Sequence, residues 1–207
     1  MPYTLAALRT RTRDLLNEST AGFFTDAEID RWLGDAAWDI SGVTGCVEAV
    51  DSFALADGDD DYAVPADAIA ILHVQDRMSG RGLAKITPSM AAQHSSEVAG
   101  DEPLRWYEFG RMLYIEPVPN VTAAGKNLRR FYSRITQDVT LLPEHCQLLA
   151  VYYSVAMAKL KDRLPQEAAV YASLYVNGAA FRRNDVYARD PQTYAEMMLM
   201  DEVAPSG

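Results

Sequence analysis

Apolar residues recur at helical spacing toward both ends of the chain and at strand spacing through its middle. Within 142–187, Leu149, Tyr153, Ala156 and Leu160 fall on one stripe, and Ala168, Tyr171, Tyr175 and Gly178 on a second. Pro143 and Pro165 suit first helical positions, where a missing N–H and a fixed φ cost nothing. The break at Asp162-Arg163-Leu164 is so short that the two helices are predicted to be antiparallel neighbours, stripe facing stripe. Small residues at Ala156, Gly178 and Ala179 predict close approach between them. Arg182-Arg183-Asn184-Asp185 is read as the end of the second helix, with cations where the helix dipole favours them.

At the N-terminus a Thr4 cap precedes Leu5, Leu8, Leu15 and Leu16, which predicts a helix over 4–17. Arg9 and Arg13 lie one turn apart on another face and are expected as solvated side chains near a partly acidic surface, a contact with a partner being the other reading. A second helix starts at Phe23-Phe24-Thr25-Asp26-Ala27-Glu28, where Thr25 and Glu28 form a capping box and Phe24 can staple onto Ile29. Ile29, Leu33, Ala36 and Ile40 make its buried stripe, Trp32 adjoins it, and Asp30, Asp35 and Asp39 are expected to point elsewhere. Two amphipathic helices need a third surface, and the pair at 143–187 is the natural one.

The middle, roughly 46–136, changes period. Val47, Ala49, Phe53 and Leu55 alternate, Asp57-Gly58-Asp59-Asp60-Asp61 reads as a turn, and Tyr62-Ala63-Val64 follows, which predicts a hairpin. Ile69 to Val74 is expected as a buried strand, and Gly80-Arg81-Gly82 turns it into Leu83–Ile86. Thr87-Pro88-Ser89 opens a short helix through about His94. Trp106 to Ile115 reads as an aromatic hairpin reversing at Gly110, and Lys126 to Arg134 as a last strand. The expected class is therefore α+β, a bundle of N- and C-terminal helices with an inserted antiparallel sheet or small sandwich. The chain divides as 1–45, 46–136, 137–190 and 191–207.

Composition narrows the function. A chain of 207 residues with 49% hydrophobic and 23% charged content can bury a core. Its net charge of −10 argues against a surface built to grip nucleic-acid phosphates, and suits a wall past which DNA slides. Cys46 and Cys146 are the only cysteines and belong to no metal-ligand or redox motif. With no leader-like start and no run of about 18 apolar residues, a soluble, non-secreted protein is expected. Nucleotide-loop, zinc-protease and nucleophile-elbow motifs are absent, and His73, His94 and His145 have no nucleophile in a recognisable pattern. The Asp57–Asp61 run lacks calcium-loop spacing, so no metal, cofactor or catalytic residue is expected. Beyond Pro191, Tyr194, Met197, Met198, Leu199 and Met200 are too apolar for an idle tail, and fit either packing on their own domain or docking on another chain.

The order helix, helix, β insertion, long helix pair, short arm resembles the head-to-tail adaptor, or connector, proteins of tailed bacteriophages. Tyr62-Ala63-Val64-Pro65-Ala66-Asp67 looks like their strand-ending step, and Leu113-Tyr114-Ile115-Glu116-Pro117-Val118-Pro119 like their strand into a Pro-x-Pro turn. Phe23 to Ile29 matches their second-helix start, and Leu142-Pro143 their third. The resemblance implies a non-enzymatic homo-oligomeric ring, commonly of twelve subunits, in the virion neck after synthesis in the host cytoplasm. Such a ring joins the portal protein to a tail or nozzle protein and lines the DNA exit channel, without specific DNA binding, cofactor or membrane. It implies a portal-docking arm at Tyr187, Arg189, Tyr194, Met197, Met198, Leu199 and Met200. Tail-side loops would be at Asp57, Asp59, Asp60 and Asp61 and at Arg77 and Arg81. Head-completion and tail-terminator rings share this mechanical role. A different class, a monomeric ligand-binding or regulatory domain, would use Trp106, Tyr107, Phe109 and Tyr114 as a pocket.

Overall fold

The computed structural model describes residues 2–18, 20–94 and 99–187, the side chains of His94, Asp185, Val186 and Tyr187 excepted. The protein is α+β. Its elements in chain order are α1 (Leu5–Leu16), α2 (Asp26–Thr44), β1 (Glu48–Ala54), β2 (Asp61–Ala63), β3 (Ala68–Asp76), β4 (Ala84–Lys85), α3 (Pro88–His94), β5 (Arg105–Phe109), β6 (Met112–Glu116), β7 (Asn127–Arg134), α4 (Glu144–Lys161) and α5 (Pro165–Tyr187). Packing divides them into two compact units, one formed by the described residues up to Val47 with those of 135–187, the other by those within Glu48–Arg134.

In the helical unit, local chemistry starts and stops each helix. Thr4 accepts from the Ala7 N–H to cap α1, and the full Thr25–Glu28 capping box is present at α2. Both helices end on a left-handed residue, Asn17 and Gly45, the conformation that lets the next N–H reach back to orphaned carbonyls. After α4 the left-handed position is taken by Arg163 (φ 60°), and the Leu164 N–H returns to Lys159 O at 2.9 Å. The α4–α5 turn is therefore as short as expected. Adding a Cβ at Gly178 would drive it into Leu149 Cδ2, so the glycine permits the close helix contact.

Helix α4 carries buried residues around most of its circumference: Cys146, Leu149, Ala150, Val151, Val155, Ala156 and Ala158, with the polar Gln147 and Ser154 among them. A helix apolar on most sides must be covered on most sides, and α1, α2 and α5 do so. Leu8, Ile29, Leu33, Ala36 and Ile40 are all fully buried in this core. Gln147 satisfies its burial by donating to Val139 O and Thr140 O and by accepting from the Tyr3 N–H at 2.7 Å.

Three readings of this unit need correction. Arg13 is not solvated: it is 6% exposed and its guanidinium donates to Glu18, Thr20 O, Phe24 O and Asp26. Glu18 in turn accepts from the Gly22, Phe23 and Phe24 N–H groups, so the loop between α1 and α2 is held to Arg13 through Glu18. Arg9 is likewise engaged, bidentate on Asp30 at 2.9 and 2.6 Å. Asp30 and Asp39 are half-buried rather than free, Asp39 accepting the Tyr175 hydroxyl from α5. Finally, α5 does not close at Arg182–Asp185 but continues to Tyr187.

The β unit is two sheets over a shared core. One has order β1-β7-β3, the other β2-β6-β5-β4. Leu128, Tyr132, Ile71 and Val74 from the first meet Trp106, Leu113 and Ile115 from the second. The expected β1–β2 hairpin does not form: β1 pairs with β7 and β2 with β6, because the Asp57–Asp61 turn carries the chain from one sheet to the other. Neither is the sheet wholly antiparallel, since β4 runs parallel to β5. In β3 only part of the apolar run is buried, Ile69 and Leu72 being exposed. The β5–β6 hairpin does form, its two-residue turn carried by Gly110 and Arg111 at φ 60° and 64°, the primed-turn geometry that matches strand twist. Buried Arg130 ties the two sheets together, holding Asp51 on β1 at 2.5 Å and donating to Ala63 O on β2.

Two outcomes follow from the helical unit. Arg13→Ala removes four donor contacts and strands the buried Phe24 carbonyl, so urea unfolding is expected to show a loss of about 2–3 kcal/mol. Arg11→Ala, on the exposed face, should stay within about 0.5 kcal/mol. Lys161 and the Thr25 donors hold the Glu28 carboxyl at about 2, below its ordinary 4.5. A carboxyl depressed by folding stabilises above its unfolded pKa, and that contribution is lost as pH falls from 4.5 toward 2. Circular-dichroism melts of Glu28→Gln should lose less stability between about pH 6 and about pH 3 than the native chain does. Equal losses would show that this ion pair has no part in acid sensitivity.

Candidate functional site

The residues singled out as loops lie where the sequence put them, at the surface of the β unit. Asp57, Asp59 and Asp61 are exposed and Asp60 half-buried. The loop is nonetheless held in one shape: the Tyr62 hydroxyl donates to Asp59 O and accepts from the Ala56 N–H, and Asp60 O accepts from the Ile115 N–H at 2.8 Å. Burial, with the neighbouring aspartates adding to it, pushes the Tyr62 hydroxyl pKa up. No group of three or more His, Cys, Asp or Glu among the described residues is arranged to hold a metal ion. Arg77 and Arg81 are exposed on the β3–β4 loop, where the Asp76 carboxylate takes the Met78 N–H and the Ser79 hydroxyl, and Arg81 pairs with Glu102 at 3.4 Å. No ion pair joins this loop to the acidic one among the described residues.

Strand alternation splits the aromatic residues of the β5–β6 hairpin into two sets. Trp106 is 1% exposed and belongs to the core, so it cannot line a pocket with the others. Tyr107 and Tyr114 are direct cross-strand partners on the outer face, stacked at 4.8 Å with planes 6° apart. With Phe109, Asp60 and Glu116 they line a hollow of about 410 Å³ bordered by α3 and Pro117.

On the helical unit a groove of about 650 Å³ runs between α1 and α4, lined by Tyr3, Ala7, Leu15, Leu148 and Tyr152. Helix α5 has a second, mostly apolar side: Val170, Leu174 and Phe181 share it and are exposed, Phe181 by 65%, with the polar Asn177 among them; Val176 is exposed on another side, and no charged residue occurs between Glu167 and Arg182. Cys46 and Cys146, a hundred positions apart, pack against the same core, both free. The Cys146 thiol beside it lowers the pKa of the Cys46 thiol, while Cys46 and burial hold that of Cys146 up. None of these surfaces was legible in advance, because exposure depends on what the fold leaves uncovered. Of the arm residues, Arg189, Tyr194, Met197, Met198, Leu199 and Met200 lie outside the described residues, as does the Tyr187 side chain.

No described helix is long and apolar enough to cross a membrane. Comparison with curated proteins returns no match. The family model described as SU10 adaptor protein, in contrast, matches residues 3–195, spanning the α1–α2 pair, the whole β unit and the α4–α5 hairpin. Over nearly its full length, then, this chain belongs to the SU10 adaptor protein family, adaptors of the phage head–tail junction.

Proposed function

We propose that the protein forms a ring in the virion neck that joins the portal to the tail and surrounds the DNA exit path, working mechanically rather than by catalysis. The observation that carries this reading is the contrast between two adjacent helices. α4 and α5 both carry apolar residues on more than one side, yet those of α4 are largely covered within the chain while those on the outer side of α5 are bare. A soluble helix with two apolar sides calls for a neighbour on the second. The uncharged stretch 168–181 is about 21 Å long at 1.5 Å per residue. At a width of roughly 10 Å it offers about 200 Å², a fraction of the roughly 800 Å² per partner in a lasting interface. Such a face does not hold two free subunits together, and works where a portal lines subunits up side by side. Twelve subunits is the count the adaptor resemblance implies.

The acidic balance of −10 fits a passage that repels rather than binds DNA. In this reading Asp57, Asp59, Asp60, Asp61, Arg77 and Arg81 face the tail protein, and the arm from Tyr187 through Arg189, Tyr194, Met197, Met198, Leu199 and Met200 docks on the portal.

Two variants mixed with the portal of the same virus separate these elements. Removing 191–207 is expected to leave thermal melting unchanged and abolish co-sedimentation with the portal; normal docking would remove the arm from the proposal. Phe181→Ser combined with Leu174→Ser is expected to keep portal binding but give incomplete rings by electron microscopy. Complete rings from that variant would mean that α5 is not the contact between subunits.

A further inference from the structure

The hollow on the outer face of the β5–β6 hairpin has a lining of one chemical character. Asp60 and Glu116 supply two carboxylates, Tyr107, Phe109 and Tyr114 supply three aromatic rings, and no lysine or arginine is among the described lining residues. Arg105 stands opposite Glu116 in the strand register but does not line the hollow. Among the described residues Glu116 Oε2 is buried with no hydrogen-bond partner. A carboxylate oxygen removed from water and left without a donor is costly, and native proteins leave few such groups unexplained. Tyr107 feels the same carboxylates: burial, with Glu116 and Asp60 beyond it, raises its hydroxyl pKa.

Aromatic faces beside carboxylates attract cations, and among biological cations the guanidinium suits both elements at once. It is planar, so it can stack on the outer ring of the Tyr107–Tyr114 pair, and it carries paired N–H donors that match a carboxylate. A volume of about 410 Å³ accommodates one such side chain with part of its backbone. Phe109, 65% exposed at the rim, gives an apolar shoulder for the chain that bears it.

We infer that this hollow is a docking site for an arginine side chain presented by a partner protein, held between the Tyr107–Tyr114 stack and the carboxylates of Glu116 and Asp60. The site is complete within one β unit and does not depend on a ring.

The test uses the full-length protein alone, so its outcome is independent of assembly with the portal. An acetylated and amidated Gly-Arg-Gly peptide is titrated while backbone amide shifts are followed by NMR, alongside the Gly-citrulline-Gly peptide, which keeps the shape and loses the charge. Saturable shifts centred on Tyr107, Tyr114 and Glu116 are expected, with the citrulline peptide at least about tenfold weaker. Glu116→Gln and Tyr107→Ala should each weaken binding by about fivefold or more. Equal binding of the two peptides, shifts confined to other surfaces, or no saturable shift would overturn the assignment. Should Glu116→Gln lower the melting temperature, Asp60→Asn provides the same comparison at the second carboxylate of the hollow.

Discussion

Helix α4 has apolar residues on most of its circumference that cannot be left to water, and the helical unit is the solution to that constraint. Its buried residues run from Cys146 to Ala158 around most of the helix, so α1, α2 and α5 must all reach it although they come from opposite ends of the chain. Each buried leucine or isoleucine in that shell contributes roughly 1.5–3 kcal/mol relative to exposure, so losing any one wall costs a large part of a domain's net stability. The polar residues admitted to the core are few and paired: Gln147 by Tyr3 and the Val139–Thr140 backbone, Ser154 by Ala150 O.

Apolar burial is indifferent to exact placement, and the specific geometry comes from charged groups drawn inward. Arg13 gathers the α1–α2 loop, Arg130 joins the two sheets, and in both cases the guanidinium satisfies backbone carbonyls as well as a carboxylate. Planar, multiply donating and hard to deprotonate, arginine can serve several acceptors in a tight space where lysine serves fewer. The same chemistry underlies the outward-facing site proposed on the β unit. There the acceptors and rings are in place and the arginine comes from elsewhere. Family membership gives these surfaces a setting, since an adaptor at a head–tail junction has neighbours, and exposed α5 and the aromatic hollow are two unlike faces for them.

What could be read along the chain was whatever is decided within a few residues. Thr4 and the Thr25–Glu28 box mark helix starts because they act on N–H groups within one turn, and the prolines at 143 and 165 because they bring no N–H that would go unpaired there and fix φ. The reversal at Gly110 was equally visible, because a two-residue turn demands left-handed backbone. Periodicity likewise separated helical ends from a stranded middle, and it identified Ile29, Leu33, Ala36 and Ile40 as core.

Tertiary structure decided everything that rests on partners distant in sequence. β1 looked like half of a hairpin because its neighbour in sequence is strand-like, but its hydrogen bonds go to β7, where Asp51 also meets Arg130. Arg13 looked solvated because helical position alone cannot reveal that a loop will fold over it. Trp106 and Tyr107, adjacent and both aromatic, became core and surface by the alternation of one strand. Local hydrogen-bonding and periodicity are properties of sequence, since their range is a turn or two. Burial, ion pairing and uncovered surface depend on which distant segments come together, and only the folded chain settles that.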